Sequence, residues 1–552
     1  MDLSSFLKPS PSVLPHADTT PFLSKRERVG VSLFASVVSF LLLLPYVIGV
    51  LVQKEGSLFL GTPLFAIADY RSYLAWIGQA MHGEVLFFNY SATPLLSSDG
   101  VLFHPIFFTL GMFGKWFHLD PALLFHAASA LCAGLLVFTV YRFFARCTSD
   151  VLWRATATGL FVFATGFGAL FFAPNTALAG PEFSMLVRMQ QYLLGSIDTI
   201  LTFAIFTLAL SDLRRGRLRD TVLLGLMIGM LILIHPYMLL IVLGTLGLFA
   251  LFLVWVEKEW TVMWALLRAT AVLLPFVWWQ VAALAADASF ALWFFSGMLT
   301  PRFGLFELFL GYGLLLPLAL VGVFGVVRAG RDTPHLAALV LLSLWGVVMF
   351  LGMEQPFFLS VTRRFGEMLF IPIVFFAAYP LVLLLRMRKG VWFVLPMLFL
   401  LVLGNMLFFS RLLGTPFVDR SDPTSTAYAP LDVLTPDARA VLAWLDRYTD
   451  REDVVLSGGA LGSIIPIFAD TRVVFGHPSL MPGEEGKNLL VPLLFRAGTS
   501  SRAWPLFLRD ISYIVGDNDL RALGYDPKKD PYGEPVFRNE TYEVYRVVGV
   551  RE

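Results

Sequence analysis

At 552 residues, 57% of them hydrophobic, and with a mean hydropathy of +0.73, the chain is too apolar to be a water-soluble globule. Its 41 basic and 40 acidic residues nearly cancel, so net charge selects no acidic partner, and no nucleic-acid partner is expected. Two cysteines, Cys132 and Cys147, are too few for a disulfide scaffold or a thiolate metal site.

Apolar runs near the length of a bilayer crossing, about 20 residues each, predict an α-helical polytopic membrane protein. A polar arm, residues 1–29, carries Lys25, Arg26 and Arg28 and reads as cytoplasmic. The first span follows it and reads as retained, because the run is long and no small-residue cleavage site is evident. Spans are predicted at 30–52, 121–141, 154–173, 190–211, 220–236, 237–256, 261–283, 304–327, 335–353, 367–386 and 391–410. That makes about eleven crossings in a transmembrane domain of residues 30–410.

Loop charge sets the orientation. Basic clusters precede the first span and follow the second (Arg142, Arg146, Arg154), the fourth (Arg214, Arg215, Arg217, Arg219), the eighth (Arg328, Arg331) and the tenth (Arg386, Arg388, Lys389). All fall on one side, predicted to be the cytoplasm. This holds only if residues 101–117 do not cross and if His235-Pro236 separates two spans.

The first extracytoplasmic loop, 53–120, therefore holds two shorter helices. In the first, at 68–83, Tyr70, Tyr73, Leu74, Ile77 and Met81 share one face, and Arg71, Ser72, Gln79 and His82 the other. That pattern predicts a helix lying along the membrane surface. The second, at 104–117, opens with His104-Pro105, and its Lys115 reads as an anchor.

After Ser410 the composition turns polar. Residues 411–552 predict a small α/β domain outside the cytoplasm. DARAVLAWLDRYTD and LGSIIPIFAD read as helices; DVVLS, TRVVFG and ISYIVG read as strands, and PVFRNETYEVYRVV as a terminal hairpin turning near Arg538-Asn539. Asn89 and Asn539 head short glycosylation patterns.

Asp69 is the first chemical candidate. It reads either as a helix N-cap or as a general base or cation-binding carboxylate at the outer membrane surface. Basic residues placed outside against the overall bias form the second group: Arg71, Arg188, Arg302, Arg363 and Arg364. They read as headgroup anchors or as contacts to a lipid phosphate, which guanidinium geometry suits. Glu182, Glu307, Glu354 and Glu367 fall near outer span ends, and Asp198 lies inside the fourth span, where an acid is a functional candidate. His104, His126 and His235 lack metal-ligand spacing, and His477 reads as a loop residue. No Walker loop, GxSxG, HExxH or GxGxxG unit occurs.

Asp69, Tyr73 and Ala75, then His104-Pro105, Phe113-Gly114 and a span ending Tyr141-Arg142-Phe143-Phe144-Ala145-Arg146 resemble the GT-C class of polytopic glycosyltransferases. The likeness is to the bacterial branch related to protein O-mannosyltransferases and aminoarabinose transferases. Two positions depart from that pattern: Tyr70 stands where many relatives carry Glu, and Ile106 where a second proline is common.

The resemblance implies sugar transfer from a polyprenyl-phosphate lipid donor to a glycan, lipid or protein acceptor on the outer face of the plasma membrane. Asp69 would be the catalytic acid, with a divalent cation if one is needed. Arg363 and Arg364 would meet the lipid phosphate, with Arg71, His104, Arg188 and Arg302 as further substrate contacts. Two other classes stay open: a carrier or flippase for a lipid-linked or amphiphilic solute, and a non-catalytic membrane scaffold.

Overall fold

The computed structural model describes residues 23–63, 67–88, 100–167, 185–191, 193–211, 215–286, 305–329, 335–354, 362–414, 432–476, 491, 493–494 and 503–549. The helices through the apolar part of the chain are α1 Lys25–Val52, α2 Ile67–His82, α3 Pro105–Phe117, α4 Pro121–Cys147, α5 Val151–Phe163, α6 Met185–Gln191, α7 Leu193–Ser211 and α8 Leu218–Ile234. They continue with α9 Met238–Glu257, α10 Thr261–Ala286, α11 Leu305–Tyr312, α12 Leu315–Ala329, α13 Leu336–Glu354, α14 Thr362–Leu385 and α15 Val391–Gly414. Among the described residues, eight helices are long and apolar enough to cross a membrane. The chain is an α-helical polytopic membrane protein with a small C-terminal sheet.

The eight coincide with predicted spans; the other three predicted spans take different forms. The predicted span at 220–236 is the 17-residue α8, Leu218–Ile234, which ends before the predicted His235-Pro236 break. Residues 304–327 are two helices, α11 and α12, because Gly313 turns left-handed at φ 55°, a conformation open to glycine at little cost. The span at 154–173 stops being helical at Phe163. Its freed backbone is satisfied from α15: Asn405 donates to the Phe163 carbonyl at 2.8 Å, and the Thr165 N–H donates to the Leu401 carbonyl at 2.8 Å. Irregular backbone at membrane depth persists only where protein groups pair it in this way.

By packing, the chain divides into two compact units. The first comprises Met1–Leu42, Ser129–Gln280 and Gly297–Arg411. Its most enclosed span is in α14, where Trp153 Nε1 of α5 donates to the Phe375 carbonyl at 2.8 Å. Local signals start several helices. Ser24 and Glu27 form a capping box at α1, with backbone N–H bonds of 3.2 and 3.0 Å. Asp150 caps α5, accepting from Leu152 N at 3.1 Å, and also binds Arg386 at 2.5 Å.

The second unit comprises Leu43–Ala128, Val281–Ser296 and Leu412–Glu552. Strand β1 Leu58–Phe59 pairs antiparallel with β2 Val433–Leu434. A five-stranded sheet contains β3 Val454–Leu456, β4 Arg472–Val473, β5 Tyr513–Gly516, β6 Gly533–Arg538 and β7 Glu543–Val547. Its order is β4-β3-β5-β7-β6, with β4, β3 and β5 parallel and β7 and β6 antiparallel. Helix α16 Pro436–Tyr448 is capped by Thr435 and buries Val441, Leu442 and Leu445. Two short helices, α17 Gly459–Gly462 and α18 Ile465–Phe468, follow β3. The predicted C-terminal helices and strands are all present.

Candidate functional site

Helix α2 carries Asp69 in its first turn, as the third helical residue rather than the cap. A carboxylate there favours the positive end of the helix dipole. The next residue, Tyr70, is buried, and its hydroxyl donates to the Leu60 carbonyl and lies 3.1 Å from His126 Nε2. Burial first, then the charge of Asp432, holds the Tyr70 phenol far above its ordinary range. Asp432 ties down the segment after α1, accepting from Thr62 N at 2.6 Å, while its own carbonyl accepts from Leu60 N at 2.8 Å. Burial also raises the Asp120 carboxyl. The start of α2 is thus rigidly held, with carboxyl groups acting on one buried phenol.

Most of the polar face of α2 is closed to water, which a surface-lying helix would leave open; only His82 at its end is exposed. Arg71, Ser72 and Gln79 are as buried as Leu74 and Ile77. Arg71 bonds to the Ser463 hydroxyl and, at 3.4 Å, to the Ala460 carbonyl. Gln79 clamps Phe88, donating to its carbonyl at 3.1 Å and accepting from its N–H at 3.2 Å. His82 reaches Asp446 at 2.8 Å. Arg71 thus belongs to an internal seam between α2 and chain some 390 residues later, while Gln79 ties α2 to the segment just after it. His104, before α3, is buried against Phe107 and Trp76, with ring centroids 4.2 and 6.4 Å away.

Arg188 lies in the first unit, in an ion network that joins Glu367, Asp198 and His235 from separate parts of the sequence. It binds Glu367 at 2.5 Å and Asp198 at 3.2 Å. Asp198 also meets His235 Nδ1 at 2.7 Å and accepts from the Thr199 hydroxyl at 3.0 Å. A Cβ at Gly195 would sit 2.5 Å from Arg188 Nε, so that glycine admits the guanidinium. The available signal was chemical: an acid, an arginine and a histidine in apolar surroundings need partners, and these partner one another.

Arg302, Glu182, His477 and Asn89 lie outside the described residues, as do the side chains of Arg363, Arg364, Glu307 and Glu354. Among the described residues, no three His, Cys, Asp or Glu side chains converge as a metal site.

Neither a protein-family model nor a curated protein sequence matches the chain. Among solved structures it is similar to the oligosaccharyltransferase of Archaeoglobus fulgidus in complex with Zn and sulfate, at 13% identity and a TM-score of 0.49, over 93% of this chain and 72% of that one. It is also similar to the mycobacterial arabinofuranosyltransferase AftD. One AftD structure aligns at 15% identity and a TM-score of 0.52 over 96% of this chain; a second aligns at 16% and 0.48 over 95%. The chain spans 42% and 40% of those two AftD chains. The AftD likeness at a TM-score of 0.52 gives this chain the fold of the GT-C glycosyltransferases.

Proposed function

We propose that the chain is a membrane glycosyltransferase that moves a sugar from a polyprenyl-phosphate donor to an acceptor on the extracytoplasmic face. The observation that carries this reading is the position of Asp69. It lies in the first turn of a rigidly held helix that follows the first span, in a chain with the GT-C fold. In the proposed step Asp69 takes the proton from an acceptor hydroxyl, whose oxygen attacks the anomeric carbon. The bond from that carbon to the phosphate oxygen breaks, and its electrons leave with the lipid phosphate. Arg302, Arg363 and Arg364 are assigned to that growing charge, because Arg71 and Arg188 are engaged within their own units. A divalent cation on Asp69 would serve the same deprotonation, but the described residues gather no ligand set for one.

The test is Asp69→Asn in nanodiscs with a radiolabelled polyprenyl-phosphate sugar. A general base contributes roughly 10²–10⁴-fold, so transfer should fall by that factor while the protein melts as before. Transfer within about threefold of the parent would remove Asp69 from the chemistry.

The buried Arg188–Asp198–Glu367–His235 network favours a second reading, a carrier or flippase, because ionisable side chains inside a bundle often line solute or proton paths. Translocation of a fluorescent lipid-linked sugar in liposomes, lost in Asp198→Asn without any transfer defect, would select it.

A further inference from the structure

The connection that leaves α1 and leads into α2 is held by one short stretch of chain 370 residues further on. Arg439 donates to the Gly56 carbonyl at 2.8 Å. Strand β2 pairs with β1, setting Leu434 opposite Leu58 and Val433 opposite Phe59. One step along the same ladder, the Asp432 carbonyl accepts from Leu60 N at 2.8 Å. The Asp432 carboxylate then reaches past it to accept from Thr62 N at 2.6 Å. Asp432 and Thr62 are each 2% exposed, so water does not compete for that amide.

A buried acid that accepts backbone N–H bonds is a sufficient structural staple by itself. What sets Asp432 apart is where its bonds lead. The Leu60 carbonyl accepts the Tyr70 hydroxyl and lies 3.2 Å from His126 Nε2. Gly61 turns left-handed at φ 68°, and a Cβ there would sit 2.5 Å from His126 Nε2 and 2.7 Å from Tyr46 Cδ2, so the turn has room for glycine alone. Tyr70 is buried, with its ring edge-on to Phe125 at 5.0 Å, and it directly follows Asp69 in the chain. One carbonyl thus joins the C-terminal stretch to the helix turn that bears Asp69. The far end of α2 is held separately, by Asp446 through His82, about 20 Å along the helix.

We propose that Asp432 is a positioning residue for Asp69, acting through the Thr62 amide, the Leu60 carbonyl and the Tyr70 hydroxyl on the first turn of α2. The inference rests on the transferase reading of Asp69. It gives the C-terminal region a part in the reaction that involves no contact with substrate. Without the Asp432 carboxylate the Thr62 N–H is buried with no acceptor, at a cost of about 1–3 kcal/mol, unless the loop moves. A shift of about 1 Å carried to Asp69 is enough to slow the reaction about a hundredfold.

Transfer from a radiolabelled polyprenyl-phosphate sugar, together with hydrogen exchange, tests this on the full chain in lipid nanodiscs. Asp432→Ala should lower kcat roughly ten- to a hundredfold with the donor KM little changed, and should speed exchange in peptides covering 58–62 and 67–77. Asp432→Asn keeps an acceptor oxygen for Thr62 and should restore most of both. Asp446→Ala loosens the far end of α2 and should leave kcat within about threefold of the parent. In the Asp69→Asn background, adding Asp432→Ala should cost no further activity, whereas a general loss of folding would lower it in both backgrounds. Parental kcat in Asp432→Ala, an equal loss in Asp432→Asn, or a loss that adds to that of Asp69→Asn would each overturn the proposal. Parental transfer in Asp69→Asn would overturn the transferase reading and this proposal together; loss of transfer there, with parental kcat in Asp432→Ala, would overturn this proposal alone.

Discussion

Replacing Arg188 with Met removes a buried charge while keeping most of the aliphatic stem. Arg188 is 3% exposed, Asp198 0% and Glu367 2%, so none of the three has solvent to fall back on. Deleting one partner of a buried ion pair typically costs about 3–5 kcal/mol, because the other charge stays in a low-dielectric site. Here one guanidinium serves two carboxylates, at 2.5 and 3.2 Å, which puts the expected loss in the upper half of that range, about 4–5 kcal/mol. The Thr199 hydroxyl and the His235 ring still hold Asp198, which keeps the loss from doubling. A triple variant, R188M/D198N/E367Q, removes every charge of the guanidinium–carboxylate set and should recover most of the loss, since neutral replacement of a whole buried network is often tolerated. Unfolding in mixed micelles, followed by tryptophan fluorescence, measures both. A loss below about 1 kcal/mol in R188M, or a triple variant no better than the single, would refute the electrostatic account.

Two further predictions concern the second unit. Burial pushes the Asp517 carboxyl up to about 6, ahead of the lowering effect of the Leu520 N–H. A folded value above the unfolded one means the stabilising contribution is full below about pH 4 and lost as pH rises through 6. The difference is about 3 kcal/mol, so melting followed in the C-terminal sheet should be higher at pH 4.5 than at about 7.5, and Asp517→Asn should flatten that slope. A slope identical in the two proteins would assign it elsewhere. At Gly78, a Cβ would land on the Ile467 carbonyl oxygen. Alanine there gains about 1 kcal/mol of helix propensity but overpacks a backbone contact, which costs about 1–3 kcal/mol. Gly78→Ala should therefore lower the melting temperature and speed proteolysis near 460–468; a stabilised variant would show that α2 and α18 do not pack so closely.

Features that depend on composition along the chain were legible in the sequence. Eight spans, both loop helices and the C-terminal strands follow from apolar runs, His104-Pro105 and β-branched clusters. Features set by distant partners were not. The group that takes the freed Phe163 carbonyl where α5 ends is Asn405, 242 residues further on. The polar side of α2 reads as solvent-facing because Ser463 and Ala460, which bury Arg71, lie in another part of the chain. Arg188 reads as one outer arginine among several because its partners at 198, 235 and 367 share no period with it. Helical and strand periodicities report neighbours within a turn or a pleat, whereas pairing of buried charge links residues at any separation.

That pairing bears on the membrane crossings independently of hydropathy. Within the first unit, Glu27 at the start of α1 bonds Arg154 at the start of α5 and Tyr141 near the end of α4. Arg386, just past α14, binds Asp150, and His335, before α13, meets the Arg146 carbonyl at 2.8 Å. All of these helix ends were assigned to one side by loop charge alone. If 104–117 crossed the bilayer, the start of α1 and the end of α4 would lie a full hydrocarbon thickness apart, about 30 Å, instead of at hydrogen-bond distance. The Arg188 network makes the same case at the other helix ends: Asp198 near the start of α7, Glu367 near the start of α14 and His235 at the α8–α9 break share one site. A single span through 220–256 would carry His235 to mid-membrane and break that contact. The break after Ile234 thus brings the His235 ring to Asp198 and Arg188, a contact that one unbroken helix through 220–256 would not make.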